Sequence, residues 1–241
     1  MRDYVAGDEI RRIDWKASSR RNRPQIRQYQ TDRSAEVILA IDCGRLMGSL
    51  IDGVTKLDLT LTPVLDLCAV ILPRGERVGL LAFDSKPRVF LPPRGGLQNL
   101  SAMTTALSEL PTEPDEPTSY LRAVRYLESR HRKRSLVVVF TDFTDELTGA
   151  EMFSSFSALS RRHTLVFVGV GDPHLQEIAT APSSQTRGHM QKAVAAELLV
   201  ERSRAFHRME SDGILTIDAQ PDELTGPLIQ RYLEVRLRGL V

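Results

Sequence analysis

The sequence predicts an α/β fold: a doubly wound, mainly parallel sheet flanked by helices, with an extended basic amino-terminal arm. Three observations predict it. The strand candidates are continuous apolar runs rather than alternating ones, as in sheets covered on both faces. Segments with apolar residues at the helical period lie between them. The 241 residues, 41% apolar and 26% charged, are enough for one core of about 200 residues plus an appendage. Right-handed crossovers then give the doubly wound layout, in which ligands meet the carboxyl ends of the strands.

Residues 1–34 read as the arm and residues 35–241 as the domain. Between Arg11 and Arg27 the arm carries seven basic residues against one acid, Asp14, with the only tryptophan, Trp15, among them. Val37–Asp42 is an apolar strand that ends on a carboxylate. Residues 56–72 place Leu57, Leu61, Val64, Leu65, Cys68 and Ala69 near a 3.6 period and are expected to be helical. Pro73-Arg74-Gly75-Glu76 is a turn, 77–83 a strand, and 88–91 its hairpin partner across Asp84-Ser85-Lys86-Pro87. Pro92-Pro93-Arg94-Gly95-Gly96 is expected to break the chain before a helix over 97–110. An acidic, proline-rich loop follows at 111–117, then a helix over 119–132 and a pure β run over 135–141. Residues 149–160 read as helix and 164–170 as strand, stopped by Gly171-Asp172-Pro173. A long helix over 186–210 carries Met190, Val194, Leu198 and Phe206 along one side, expected to be a packing face. A short strand over 214–217 and a helix over 223–236 complete the chain.

The net charge of +1 gives no global polyelectrolyte signal, although residues 1–33 carry +4 and the rest −3. Cys43 and Cys68 read as reduced thiols in a cytosolic setting, not as a disulfide framework. No run approaches the ~20 apolar residues needed to span a bilayer. The chain opens on Arg2-Asp3-Tyr4, a polar segment with no cap and no strand, and upstream sequence is expected. Catalysis has little support. There is no Gly-x-x-x-x-Gly-Lys-Ser/Thr loop and no Gly-x-Ser-x-Gly elbow, and the histidines at 131, 163, 174, 189 and 207 lack metal-ligand spacing. His163 is expected to satisfy local backbone.

The segment from Arg2 to Lys16 closely resembles the signature of bacterial domain of unknown function 58 proteins, through Arg2, Tyr4, Gly7, Asp8, Arg12, Asp14 and Trp15. Further matches follow in order at Lys56-Leu57-Asp58, 77–83, 91–96, Thr141-Asp142-Phe143, Arg161-Arg162-His163 and Arg231-Tyr232-Leu233-Glu234. The resemblance implies a von Willebrand factor A-like fold and a partnership with a MoxR-type AAA+ ATPase. It also implies a metal-ion-dependent adhesion site built from an Asp and two Ser on a first loop, a Thr on a second and an Asp on a third.

Asp42 matches the first Asp, Asp142 the third-loop Asp, and Thr118 or Ser119 the second loop, while Gly44 and Leu46 stand where the serines would be. A hard cation such as Mg²⁺ wants about six oxygens, so the site is expected to be degenerate. Asp42 is then expected to accept loop backbone N–H bonds and Asp142 to cap or order its own loop. No cofactor is expected, with a weak, water-rich Mg²⁺ site as an alternative. The function expected is a non-enzymatic, cytoplasmic adaptor, free-standing or the cytosolic part of a longer or membrane-associated protein. Its loops at 42–49, 114–120 and 142–148 would engage a partner, and Arg45 and Asp145 are the residues expected to meet it. Arg45 can grip a carboxylate bidentately without a metal. The alternative from another class is a nucleic-acid-associated protein using residues 11–33. Nucleic acid is otherwise not expected as a partner.

Overall fold

The computed structural model describes residues 35–110, 115–142, 146–182 and 186–240, together with Arg2–Asp3, Ser18 and Gln25–Ile26. The chain divides into two compact units, Met1–Ser34 and Ala35–Val241. In the first, Arg2 pairs with Ile26 and Asp3 with Gln25 in a two-stranded antiparallel ladder. Arg2-Asp3 is therefore a short strand where none was expected, because two residues are too few for an alternating pattern to show. Tyr4, Gly7, Asp8, Arg12, Asp14 and Trp15 lie outside the described residues.

The second unit is built on six strands: β1 (Glu36–Asp42), β2 (Arg77–Phe83), β3 (Pro87–Arg94), β4 (Leu136–Thr141), β5 (Thr164–Val170) and β6 (Leu215–Ala219). They lie in the order β3-β2-β1-β4-β5-β6. Every neighbouring pair is parallel except β2–β3, which is an antiparallel hairpin. The order reverses between β1 and β4, and at such a switch point the loops leaving the two strands part and form a crevice. Asp42 and Asp142 stand there.

The central strands are buried along their whole length because helices cover both faces. One face packs Val37, Leu39, Ile41 and Val138 against α1 (Lys56–Ile71), α2 (Leu97–Ser108) and α7 (Thr225–Leu237). The other packs Ile38, Ala40, Val137 and Val139 against α3 (Tyr120–Arg130), α4 (Glu146–Ser160) and α6 (Thr186–Ser211). Each buried Val, Leu or Ile side chain contributes about 1.5–3 kcal/mol, so the sheet core is the main stabilising element. Among the described residues no helix is long and apolar enough to cross a membrane.

Four expectations need correction. First, β3 runs on through Pro92 and Pro93 to Arg94. It is an edge strand, where a missing N–H breaks no ladder bond, and a register shift between Val78 and Leu80 accommodates it. Second, a helix, α5 (Pro173–Thr180), follows β5, with Asp172 as N-cap accepting from the His174 N–H and Pro173 in the first turn. Third, the apolar side of α6 is not one packing face. Phe206 is buried, but Met190 is 68% and Val194 56% exposed. Fourth, His163 meets local backbone through its main-chain N–H, which donates to the Leu159 carbonyl at 3.1 Å, and not through ring Nδ1. Its Nδ1 is buried without a hydrogen-bond partner, and its ring lies 6.1 Å from that of His131. Burial, with the nearby His131, lowers its pKa to about 4. Cys43 and Cys68 are free and buried, and burial pushes each thiol up to about 12.

Candidate functional site

The loop after β1 is set by its own sequence. Asp42 ends the strand fully buried, and its Oδ1 accepts the Gly44 N–H at 2.7 Å, as expected for a carboxylate ordering a loop. A short 3₁₀ turn over Arg45–Gly48 follows, pinned by Arg45 N–H donating to the Glu116 carbonyl at 2.8 Å. The guanidinium end of Arg45 is thus carried on a fixed backbone, and the residue is exposed.

Next comes a tight hairpin, Leu50–Ile51 against Val54–Thr55, turned on Asp52 (φ 50°) and Gly53 (φ 82°). An Asp-Gly pair with both φ positive is the favoured two-residue hairpin turn. The hairpin delivers Thr55 as N-cap of α1. Its hydroxyl oxygen accepts the Asp58 N–H and donates to the Asp58 carboxylate, a reciprocal capping arrangement. Lys56 is thereby fixed as the first residue of α1, and its side chain is almost fully buried.

The Lys56 ammonium reaches the carboxylate of Asp142, Nζ to Oδ2 2.5 Å, with side-chain exposures of 6% and 4%. The other oxygen of Asp142 accepts from Arg202 Nη1 at 2.7 Å. Arg202, on α6, also grips Asp218 Oδ1 at the end of β6, from Nη2 at 2.8 Å and Nε at 3.0 Å. Its approach depends on Gly169 in β5. A β-carbon there would lie 2.6 Å from Phe206 Cζ and 2.8 Å from Arg202 Nη2. The network ties the ends of β4 and β6 to α1 and α6. Asp142 does not simply order its own loop. It pairs with two cations from distant helices.

Asp42 is held differently. Thr118 Oγ1 donates to Oδ1 at 2.8 Å, Thr141 Oγ1 to Oδ2 at 2.5 Å, and the Tyr120 hydroxyl to Oδ2 at 3.4 Å. The Thr141 and Tyr120 hydroxyls are 3.1 Å apart. Burial outweighs these donors and raises the Asp42 pKa to about 6. Of the two second-loop candidates, only Thr118 reaches Asp42. The Ser119 hydroxyl turns to Glu151 on α4 at 3.2 Å. Asp145 lies outside the described residues. Thr141, Tyr120, Lys56 and Arg202 escaped the sequence reading as site residues.

A cleft of about 670 Å³ opens beside the network, lined among others by Lys56, Asp142, Arg202 and Asp218, with Leu175 and Leu198 as apolar contributors. It lies at the carboxyl ends of β4, β5 and β6, where this topology is expected to place ligands.

These residues do not fit the divalent cation that the family resemblance implies. A hard cation needs oxygens with lone pairs to give. Both oxygens of Asp142 already hold cationic donors, and both oxygens of Asp42 hold hydroxyl or amide donors. Gly44 offers no side-chain oxygen, and its missing side chain is structural. A β-carbon at Gly44 would lie 2.0 Å from Thr118 Oγ1 and 3.0 Å from Asp42 Oδ1. The Thr118 hydroxyl fills the space a serine would need. Gly44→Ser is therefore expected to destabilise the chain by about 1–3 kcal/mol through overpacking. In urea unfolding, Thr118→Ala is expected to relieve much of that cost in the double variant. Strictly additive losses would contradict the clash.

Solved structures share this fold at low identity. The D319A mutant of the PilB minor pilin from Streptococcus sanguinis superposes with a TM-score of 0.57 at 11% identity, over 90% of this chain and 66% of that one. BatB from Bacteroides thetaiotaomicron gives 0.53 at 13%, over 84% and 98%. An aerotolerance-related membrane protein from Bacteroides fragilis gives 0.53 at 14%, over the same shares. With the strand order and the carboxylates ending β1 and following β4, the fold is von Willebrand factor A-like. Among curated sequences, the uncharacterized proteins Mb1516 of Mycobacterium bovis and Rv1480 of Mycobacterium tuberculosis are each 26% identical over 176 residues, 73% of this chain. The chain spans about half, 55%, of the length of these relatives. The family model described as Protein of unknown function DUF58 matches residues 1–210, and the chain belongs to that family.

Proposed function

We propose that this chain is a non-catalytic protein-interaction adaptor. Its ligand-facing pole is the carboxyl end of the sheet at β1 and β4, a degenerate adhesion site that works without a metal. The observation that carries the reading is the internal satisfaction of Asp42 and Asp142, with Arg45 exposed on a pinned backbone beside them. A guanidinium can hold a partner carboxylate through two parallel hydrogen bonds. In the metal-bearing sites that the resemblance brings to mind, a bridging cation does that job.

The partner in this reading is a MoxR-type AAA+ ATPase, as the family resemblance implies. The module then works in the cytoplasm, on its own or as the cytosolic part of a longer or membrane-associated protein. The test is the affinity of such an ATPase, held at constant nucleotide and Mg²⁺, for the immobilised chain. Arg45→Ala is expected to weaken binding at least tenfold, about 1.4 kcal/mol. Arg132→Ala, exposed just before β4 at the opposite end of the sheet, is expected to change nothing. Equal binding by wild type and Arg45→Ala overturns the assignment of Arg45. Binding by neither wild type nor variant overturns the partner.

A further inference from the structure

We propose that Lys56 is the resident cation of this face: its ammonium compensates the buried Asp142 carboxylate that follows β4, as a bound divalent ion would in a metal-bearing site. The proposal deepens the reading above and rests on it only in taking these strand ends as the ligand-facing pole.

Three observations lead to it. The first is charge. Asp42 and Asp142 are 0% and 3% exposed on neighbouring strands, and the Tyr120 hydroxyl lies 3.4 Å from both Asp42 Oδ2 and the Asp142 carbonyl. The Asp142 carboxylate, so buried, needs positive charge close by, because a desolvated charge is costly unless paired. The second is supply. Arg202 divides itself between Asp142 and Asp218, so it does not neutralise Asp142 alone. Lys56 is buried, and among the described residues its ammonium pairs with Asp142 only. The third is construction. The Asp52-Gly53 hairpin and the Thr55–Asp58 cap fix Lys56 at the first turn of α1. A buried lysine at a helix amino terminus opposes the helix dipole, so local structure alone gives no reason for a cation there. The carboxylate it meets does.

A consequence follows for regulation. A bound metal comes and goes with its concentration, whereas a side-chain ammonium is always present. The face is held in one charge-compensated state, and ligand engagement there does not depend on divalent cation supply.

The test is a thermal-melt cycle at pH 7.5 with Lys56→Met, Asp142→Asn and the double variant. Methionine keeps the apolar stem and removes only the charge. Lys56→Met is expected to melt roughly 6–12 °C below wild type, the scale for stranding one partner of a buried ion pair in a domain of this size. Lys56→Arg is expected to recover at least half of that loss. The double variant is expected to melt above Lys56→Met, because the uncompensated carboxylate is gone. A Lys56→Met chain that melts within 2 °C of wild type overturns the proposal. If Lys56→Met does not fold, a folded double variant upholds the proposal and an unfolded one overturns it. No partner is involved, so failure here is distinct from failure of the ATPase-binding test.

Discussion

Asp142→Ala is expected to lower unfolding stability by about 3–5 kcal/mol, the cost of stripping a buried ion cluster of its shared carboxylate. The substitution leaves the Lys56 ammonium, 6% exposed, without its acid, and cuts Arg202 from the end of β4. Arg202 retains Asp218, whose side chain is 44% exposed. The remaining anchor is thus more hydrated and weaker. The damage should centre on α6, which Arg202 ties to the sheet. Amide hydrogen exchange around residues 198–209 is expected to quicken more than in β1 or β2. Urea unfolding at pH 7 measures the total. A loss below about 1 kcal/mol would mean that apolar packing alone seats α6.

The second large effect depends on pH. Burial raises the Asp42 pKa from its ordinary 3.8 to about 6, because it disfavours the charge more than the four donors favour it. The folded state therefore holds the proton more tightly than the unfolded state. Stability from this group is fully present below about pH 4, falls as pH rises, and is gone above about pH 6. The interval of roughly two pKa units corresponds to about 3 kcal/mol. Asp42→Asn cannot titrate. The stability of wild type relative to Asp42→Asn is expected to fall by about that amount between pH 4 and pH 7, read by urea unfolding at closely spaced pH values. A flat difference would show that burial and the donors cancel. A difference that rises with pH would show that the donors from Thr118, Thr141, Tyr120 and Gly44 dominate.

Both effects belong to side chains that the sequence exposes to very different degrees. The sheet was legible because its strands are uninterrupted apolar runs. Residues 77–83 and 164–170 match β2 and β5 to the residue, and β1 and β4 differ by one at their starts. Asp42 and Asp142 were legible as candidates because a carboxylate ending a buried strand is rare unless something meets it. What meets them was not legible. Lys56 and Arg202 lie 86 and 60 residues from Asp142, and neither helix carries a local sign that one of its cations is buried. Gly169 was such a sign in retrospect. A glycine inside a strand of β-branched residues marks a close approach, here by Arg202 and Phe206. Asp52-Gly53 between Leu50-Ile51 and the β-branched pair Val54-Thr55 was another, the standard mark of a tight hairpin. Proline misled in two directions. Pro92 and Pro93 suggested a break within an edge strand, whereas Pro173 after Asp172 was the start of α5. The exposure of Met190 and Val194 could not be read from periodicity, which locates a helix's apolar side without showing whether anything covers it.

In the proposal made above, this von Willebrand factor A-like face operates on the chain's own cations. The most direct measurement is the melting temperature of the purified chain in EDTA, in millimolar Mg²⁺ and in millimolar Mn²⁺. A ligand that binds the folded state raises the melting temperature, by an amount that grows with the logarithm of its concentration relative to Kd. The same value is expected in all three. A rise of several degrees with either metal, abolished by Asp42→Ala, would contradict it and return a divalent cation to the end of β1.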